Sequence, residues 1–159
     1  MKKFTPEQFA KYLISRDVVI KQFLRIGLEA CAKKVLKDAK DKIGEYQEAV
    51  GPFPAWKQLS EYTMNDKLEK GYVFNEDYNP LLRTGELRDS YKQKTFMREA
   101  QIGSKDPVAK YHEFGTSRMP ARPVLGPALY QNEKFIFKTI QQALITGLIK
   151  KSFKPKEEK

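Results

Sequence analysis

Tyr111-His112-Glu113-Phe114-Gly115-Thr116-Ser117-Arg118-Met119-Pro120-Ala121-Arg122-Pro123-Val124-Leu125-Gly126-Pro127-Ala128-Leu129 is the stretch around which this chain is organised. Three prolines and two glycines fall within its nineteen residues. Pro120, Pro123 and Pro127 lock φ and remove N–H donors, and they push Met119, Arg122 and Gly126 towards extended geometry. Gly115 and Gly126 permit a positive φ or a close backbone approach. The stretch is therefore neither a helix interior nor a central strand. Apolar Tyr111, Phe114, Met119, Val124, Leu125 and Leu129 are spaced through it, so it reads as a rigid, packed loop that feeds a helix.

Outward from this loop the punctuation defines the other elements. Pro127 opens a last helix, with an apolar stripe of Leu129, Phe135 or Ile136, Ile140, Ala143, Leu144 and Leu148. Upstream, Lys105-Asp106-Pro107 starts a short helical turn. Leu87 to Phe96 alternates imperfectly and predicts a strand. Arg98-Glu99 is its hairpin turn, Glu99 to Gly103 the return strand, and Arg122 to Leu125 a candidate third strand. Thr84-Gly85 is a turn. Tyr72 to Pro80 is polar and irregular, either a loop over the sheet or a segment ordered only by a partner. Ser60 caps a short helix through Leu68, with Gly71 just past its end. Trp56 reads as an aromatic anchor for the core or for a lid, and not as a ligand platform.

The N-terminal third is helical. Thr5-Pro6-Glu7-Gln8 combines a cap, a proline suited to the first turn and a capping-box partner. Asp17 then predicts the start of a second, longer helix from Val18 to Glu48, ended by Gly51-Pro52. Its stripe is Ile20, Leu24, Leu28, Cys31, Val35, Ala39 and Ile43. The fold class is α+β: a small antiparallel sheet packed against a long N-terminal-half helix and a C-terminal helix. Residues 1–150 read as a single domain, and 151–159 as a basic flexible tail.

Composition narrows the function. The formal charge is +10, with 30 Lys and Arg against 20 Asp and Glu. Such a balance suits a polyanion, an acidic protein surface, or solubility alone. The lone Cys31 excludes an internal disulfide and a Cys-based zinc cluster, and its place in the stripe predicts burial. No run of apolar residues is long enough to span a bilayer, and the N-terminus carries no signal pattern, so no membrane partner is expected. His112 beside Glu113 is the one pair that suggests a metal or a general base. No further ligand, nucleotide-binding or nucleophile motif supports it. The chain is not expected to be an enzyme, and neither a cofactor nor a metal is implied. Glu113 is expected instead to pair with Arg122 or Arg118 and pin the loop.

Three segments carry a resemblance. Trp56-Lys57-Gln58-Leu59-Ser60 is followed by Thr63 and Lys67. Leu81-Leu82-Arg83-Thr84-Gly85-Glu86-Leu87-Arg88-Asp89-Ser90 comes next. E-F-G-T from Glu113, P-A-R-P from Pro120 and P-A-L from Pro127 complete the series. In this order they resemble the small tail-completion, or head–tail joining, proteins of long-tailed phages, a family also known as minor tail or virion morphogenesis proteins. The likeness covers Trp56 to Leu129; the flanking regions match only as generic helices and leave open a prophage or tailocin origin.

The resemblance implies a structural role in virion assembly at the tail-to-head junction. The chain would act as a ring subunit, in six copies, with the tail tube protein and head-connector proteins as partners. It would be found in the virion, and in the host cytoplasm before assembly. It also implies that both long helices share one face of the sheet. The motif or assembly residues it marks are Trp56, Thr84, Gly85, Leu87, Glu113, Phe114, Gly115, Thr116, Pro120, Arg122 and Pro123. The alternative is a non-enzymatic nucleic-acid-binding protein. No RNA-recognition, KH or zinc-finger pattern is present, and the lysines are spread along the chain. In a ring they could contact passing DNA non-specifically.

Overall fold

The computed structural model describes residues 5–149; the basic tail expected over 151–159 lies outside the described residues. In chain order the elements are α1 (Pro6–Asp41), α2 (Glu61–Glu69), α3 (Glu86–Ser90), β1 (Lys92–Thr95), β2 (Ala100–Gly103), α4 (Pro107–Phe114), α5 (Leu125–Gln131) and α6 (Glu133–Ile149). The strands form one two-stranded antiparallel hairpin, closed where Phe96 N–H donates to the Glu99 carbonyl at 2.8 Å. With 57% helix and 8% strand, the fold is α+β. No described helix is long and apolar enough to cross a membrane.

The N-terminal helices differ from the expectation. α1 begins as predicted, with Gln8 N–H donating to Thr5 Oγ1 and Thr5 N–H to Gln8 Oε1. It then runs through Asp17 without a break. Asp17 does not cap, because its carboxylate pairs with Lys21 one turn later, at 2.5 Å, and so supports the helix it was expected to start. The helix ends at Asp41 and not at Glu48, where Gly44 turns the chain at a φ of 113°.

The larger departure lies at Leu87 to Phe96. Gly85, at φ 90°, starts the short helix α3, and Asp89 N–H closes its turn on the Gly85 carbonyl. The strand begins only at Lys92. Imperfect alternation was the sign: a residue that can start a turn preceded a segment without a clean apolar face. Arg122 to Leu125 forms no third strand, and α5 starts at Leu125, ahead of Pro127.

The chain gathers into two compact units. The first contains the described residues up to Ala32, Lys94–Gln101 and those from Lys134 onward; the second contains Lys33–Gln93 and Ile102–Glu133. In the first, α1 and α6 meet through small residues. An added Cβ on Gly27 would lie 3.0 Å from Ala143 Cβ, and one on Gly147 would lie 2.9 Å from Ile20 Cα. Ala143, Thr146 and Gly147 are the buried positions of α6, while Leu144 of the expected stripe is 42% exposed. Leu129, also placed in that stripe, belongs to α5 and is mostly exposed. Across α1 the buried set is Phe23, Gly27, Cys31, Ala32, Val35 and Ala39. Cys31 is buried as expected, which raises its thiol pKa.

Because Gly147 faces backbone and not a yielding side chain, Gly147→Val should destabilise the protein by about 1–3 kcal/mol, the usual cost of overpacking. Urea denaturation monitored by circular dichroism checks this, and an unchanged midpoint would mean that the helices separate without penalty.

Candidate functional site

The three motif segments meet in the second unit, where they brace one another. Trp56 is buried, and its indole Nε1–H donates to the Pro123 carbonyl at 3.2 Å. Arg122, also buried, returns the tie: its Nε and Nη2 donate to the Lys57 carbonyl at 3.2 and 2.9 Å, and Nη2 also donates to Gln58 at 3.0 Å. The first segment reaches the second through Lys67. This side chain is only 2% exposed, and its Nζ donates to the carbonyls of Asn79 and Leu82 at 2.6 and 2.7 Å.

The central loop is set by Glu113 and Gly115. Glu113 does not pair with an arginine, contrary to expectation. Its carboxylate accepts from three backbone N–H groups, those of Val124 (2.8 Å), Leu125 (3.2 Å) and Gly126 (2.9 Å). These are the otherwise unsatisfied donors at the start of α5, where Pro127 and the lack of a side-chain cap at Val124 leave no local alternative. The helix N-terminus favours a negative charge, so the carboxylate serves as a remote cap brought from α4. Gly115 ends α4 at φ 73°, with its N–H on the Tyr111 carbonyl. A Cβ there would lie 2.8 Å from Ala121 N and 3.0 Å from the Met119 oxygen. Thr116 and Met119 then pair as an antiparallel bridge, and Arg122 N–H closes the loop on the His112 carbonyl at 2.7 Å.

Tyr72 to Pro80 has no helix or strand, as expected, but it is tied down within this chain. Asn79 Oδ1 accepts from Phe74 and Asn75 N–H, and Asn75 Oδ1 accepts from Asp77 and Asn79 N–H. Tyr78, Asn79 and Leu81 take positive φ values of 56°, 45° and 63°. Such conformations are costly outside glycine, and the Lys67 and Asn79 bonds offset that cost.

These braces enclose a groove of about 640 Å³. Its lining includes Thr84, Gly85, Leu87, Pro120 and Arg122 from the sequence-derived set, together with Lys67, Arg83, His112 and Arg118. Trp56, Glu113, Gly115 and Pro123 lie outside the lining and support it. Phe114 is 77% exposed, and Thr116 is exposed as well. Sequence reasoning placed Lys67 inside a motif but gave it no role. Its burial depends on carbonyls 12 and 15 residues further on, which no local pattern signals.

Burial shapes the charges here. The Lys67 amine falls to about 8, through burial first and the nearby Arg83 second, and so remains largely protonated at neutral pH. His112 falls to about 4, through burial and then Arg122, with Asp106 opposing. It is therefore neutral at pH 7, and its Nδ1 is buried without a hydrogen-bond partner among the described residues. Its neighbour Glu113 is committed to α5, so the two do not act as a pair.

No family model, curated protein or solved structure matches this chain.

Two outcomes follow from the geometry. Glu113→Ala should cost at least about 1–2 kcal/mol, the upper range for a lost cap, since three part-buried N–H groups lose one acceptor together; a melting curve matching the parent would show that water replaces the carboxylate. The His112 shift gives a pH dependence of known sign. Its folded pKa lies below its unfolded value of 6.5, so between about 6.5 and about 4 the unfolded state binds more protons and stability falls as pH falls. His112→Gln should flatten that part of the profile relative to the parent in denaturant titrations across this window. Parallel profiles would place the acid sensitivity elsewhere.

Proposed function

We propose that this chain is a structural virion-assembly protein of the tail-to-head junction, acting as a ring subunit between the tail tube protein and head-connector proteins. The observation that carries the reading is the mutual bracing of the three segments on which the family resemblance rests. Tryptophan, lysine, glutamate and arginine of those segments make these ties, between positions 65 and 67 apart in the longest cases, so the three segments form one three-dimensional unit. In that unit they hold a shaped loop and a groove, which is the rigid presentation that a closed ring requires of its contact surfaces.

Exposed apolar surface supports the assembly reading. In the first unit, Ile14 is 75% exposed, Val18 65%, Phe137 72% and Ile149 72%. Apolar side chains grouped on two helices in this way suit burial against other subunits. The ring would contain six copies, with the chain soluble in the host cytoplasm until assembly. The positive charge would then serve solubility and non-specific contact with passing DNA.

Negative-stain images of concentrated protein, alone and with tail tube protein, should show annuli with six-fold symmetry. Ile14→Glu should abolish them while leaving the melting temperature unchanged. A protein that stays monomeric under both conditions, yet binds one duplex sequence selectively and tightly with a steep salt dependence, would overturn this reading in favour of nucleic-acid binding.

A further inference from the structure

The groove of the second unit contains two buried cations that, among the described residues, no carboxylate pairs with directly. Lys67 and Arg122 are 2% and 4% exposed, and both line it. Among the described residues neither forms an ion pair; their partners are main-chain carbonyls. A buried cation without a counter-ion is costly. Carbonyl dipoles reduce the cost but leave the net charge in place. Two of the three Lys67 ammonium protons are satisfied, and Arg122 Nη1 has no acceptor among the described residues. His112 Nδ1 adds a further buried polar atom without a partner among the described residues. The exposed Arg118 extends the positive field to the rim, while Arg83 is already paired with Asp66.

The rest of the lining selects among anions. Leu59, Leu81, Leu87, Val108 and Met119 supply apolar wall. Glu86 and Asp106 also line the groove, and they would repel a continuous polyanion such as a nucleic-acid backbone. A carboxylate spaced between apolar side chains meets the cations and the walls together. The volume, about 640 Å³, falls in the usual range of pockets that enclose small ligands, which leaves room for a few side chains of a peptide.

We propose that this groove docks an extended peptide segment of a partner protein, one in which a carboxylate is flanked by apolar side chains. The inference deepens the assembly reading and rests on it for the identity of the partner as another protein. Charge-assisted bonds from Lys67 and Arg122 would supply most of the selectivity, and Val108 and Met119 the apolar contact.

The test uses the full chain and three labelled probes: a short peptide of alternating Leu and Asp, the same peptide with Asn in place of Asp, and a short single-stranded DNA. Fluorescence anisotropy gives affinity, and amide chemical shifts locate the site. The Asp peptide should bind saturably, with shifts concentrated at 58–67, 81–87 and 118–122. The Asn peptide and the DNA should each bind at least about tenfold more weakly, a difference of about 1.4 kcal/mol or more. Lys67 and Arg122 also brace the fold, so the variants are Arg118→Gln and Val108→Asp at exposed positions; both should weaken the Asp peptide without moving the melting temperature. Absence of saturable binding, equal affinity for Asp and Asn peptides, DNA binding as tight as the peptide, shifts outside the groove, or variants with parental affinity would each overturn the proposal. Annuli from a protein that does not bind the peptide would leave the ring reading standing without this groove. Peptide binding by a chain that never assembles would do the reverse.

Discussion

The reciprocal tie between the Trp56 and Arg122 regions is the constraint on which the second unit depends. Trp56 donates to Pro123, and Arg122 donates back to Lys57 and Gln58. Two antiparallel sets of bonds between the same two stretches fix position and direction together, which a single bond would not. The proline-rich loop has few N–H groups of its own to spend on such ties. Its carbonyl at Pro123 and its arginine side chain therefore make them. Once 122 and 123 are fixed, Val124 to Gly126 present their N–H groups to Glu113, and α5 can start. Loop shape, helix start and groove floor follow from one another in that order.

This dependence links energetics to function. An arginine buried at 4% exposure is held by neutral oxygen atoms and not by a carboxylate. The choice sacrifices the compensation that an ion pair would bring and leaves the charge without a carboxylate partner among the described residues. Lys67 is treated in the same way. Structural bracing and buried positive charge thus come from the same two side chains, so the groove cannot lose its buried charge without also losing its walls.

Much of the local structure was legible in the sequence. The caps at Thr5 and Ser60, the helical start at Lys105-Asp106-Pro107, the burial of Cys31 and Trp56 and the special backbone at Gly115 all rest on short-range chemistry, and all stand in the structure. The failures share one cause. Asp17 can cap a helix or support one already running, and only its pairing with Lys21 decides. Residues 87–90 carry both signals, a helical start at Gly85 and a weak alternation, and the alternation alone suggests a strand. An arginine partner for Glu113 is the visible choice because opposite charges show in a sequence, whereas the unsatisfied N–H groups at the start of α5 do not. Lys67 is silent for the same reason: its partners are carbonyls, which every residue has. The groove was visible only as residue names in three segments, since nothing local says that positions 67, 84 and 122 face a common space.

The use of main-chain oxygens as acceptors divides the chain into two kinds of position. Lys57, Gln58 and Leu82 contribute carbonyls to the bracing, and a carbonyl is indifferent to the side chain beside it. Trp56, Lys67 and Arg122 contribute the donors, which no other residue type reproduces at the same reach. Drift in sequence can therefore proceed at the accepting positions while the donors stay fixed. A lineage of such chains would come to share a few widely separated residues and little else, with its common architecture carried by three side chains and an anonymous backbone.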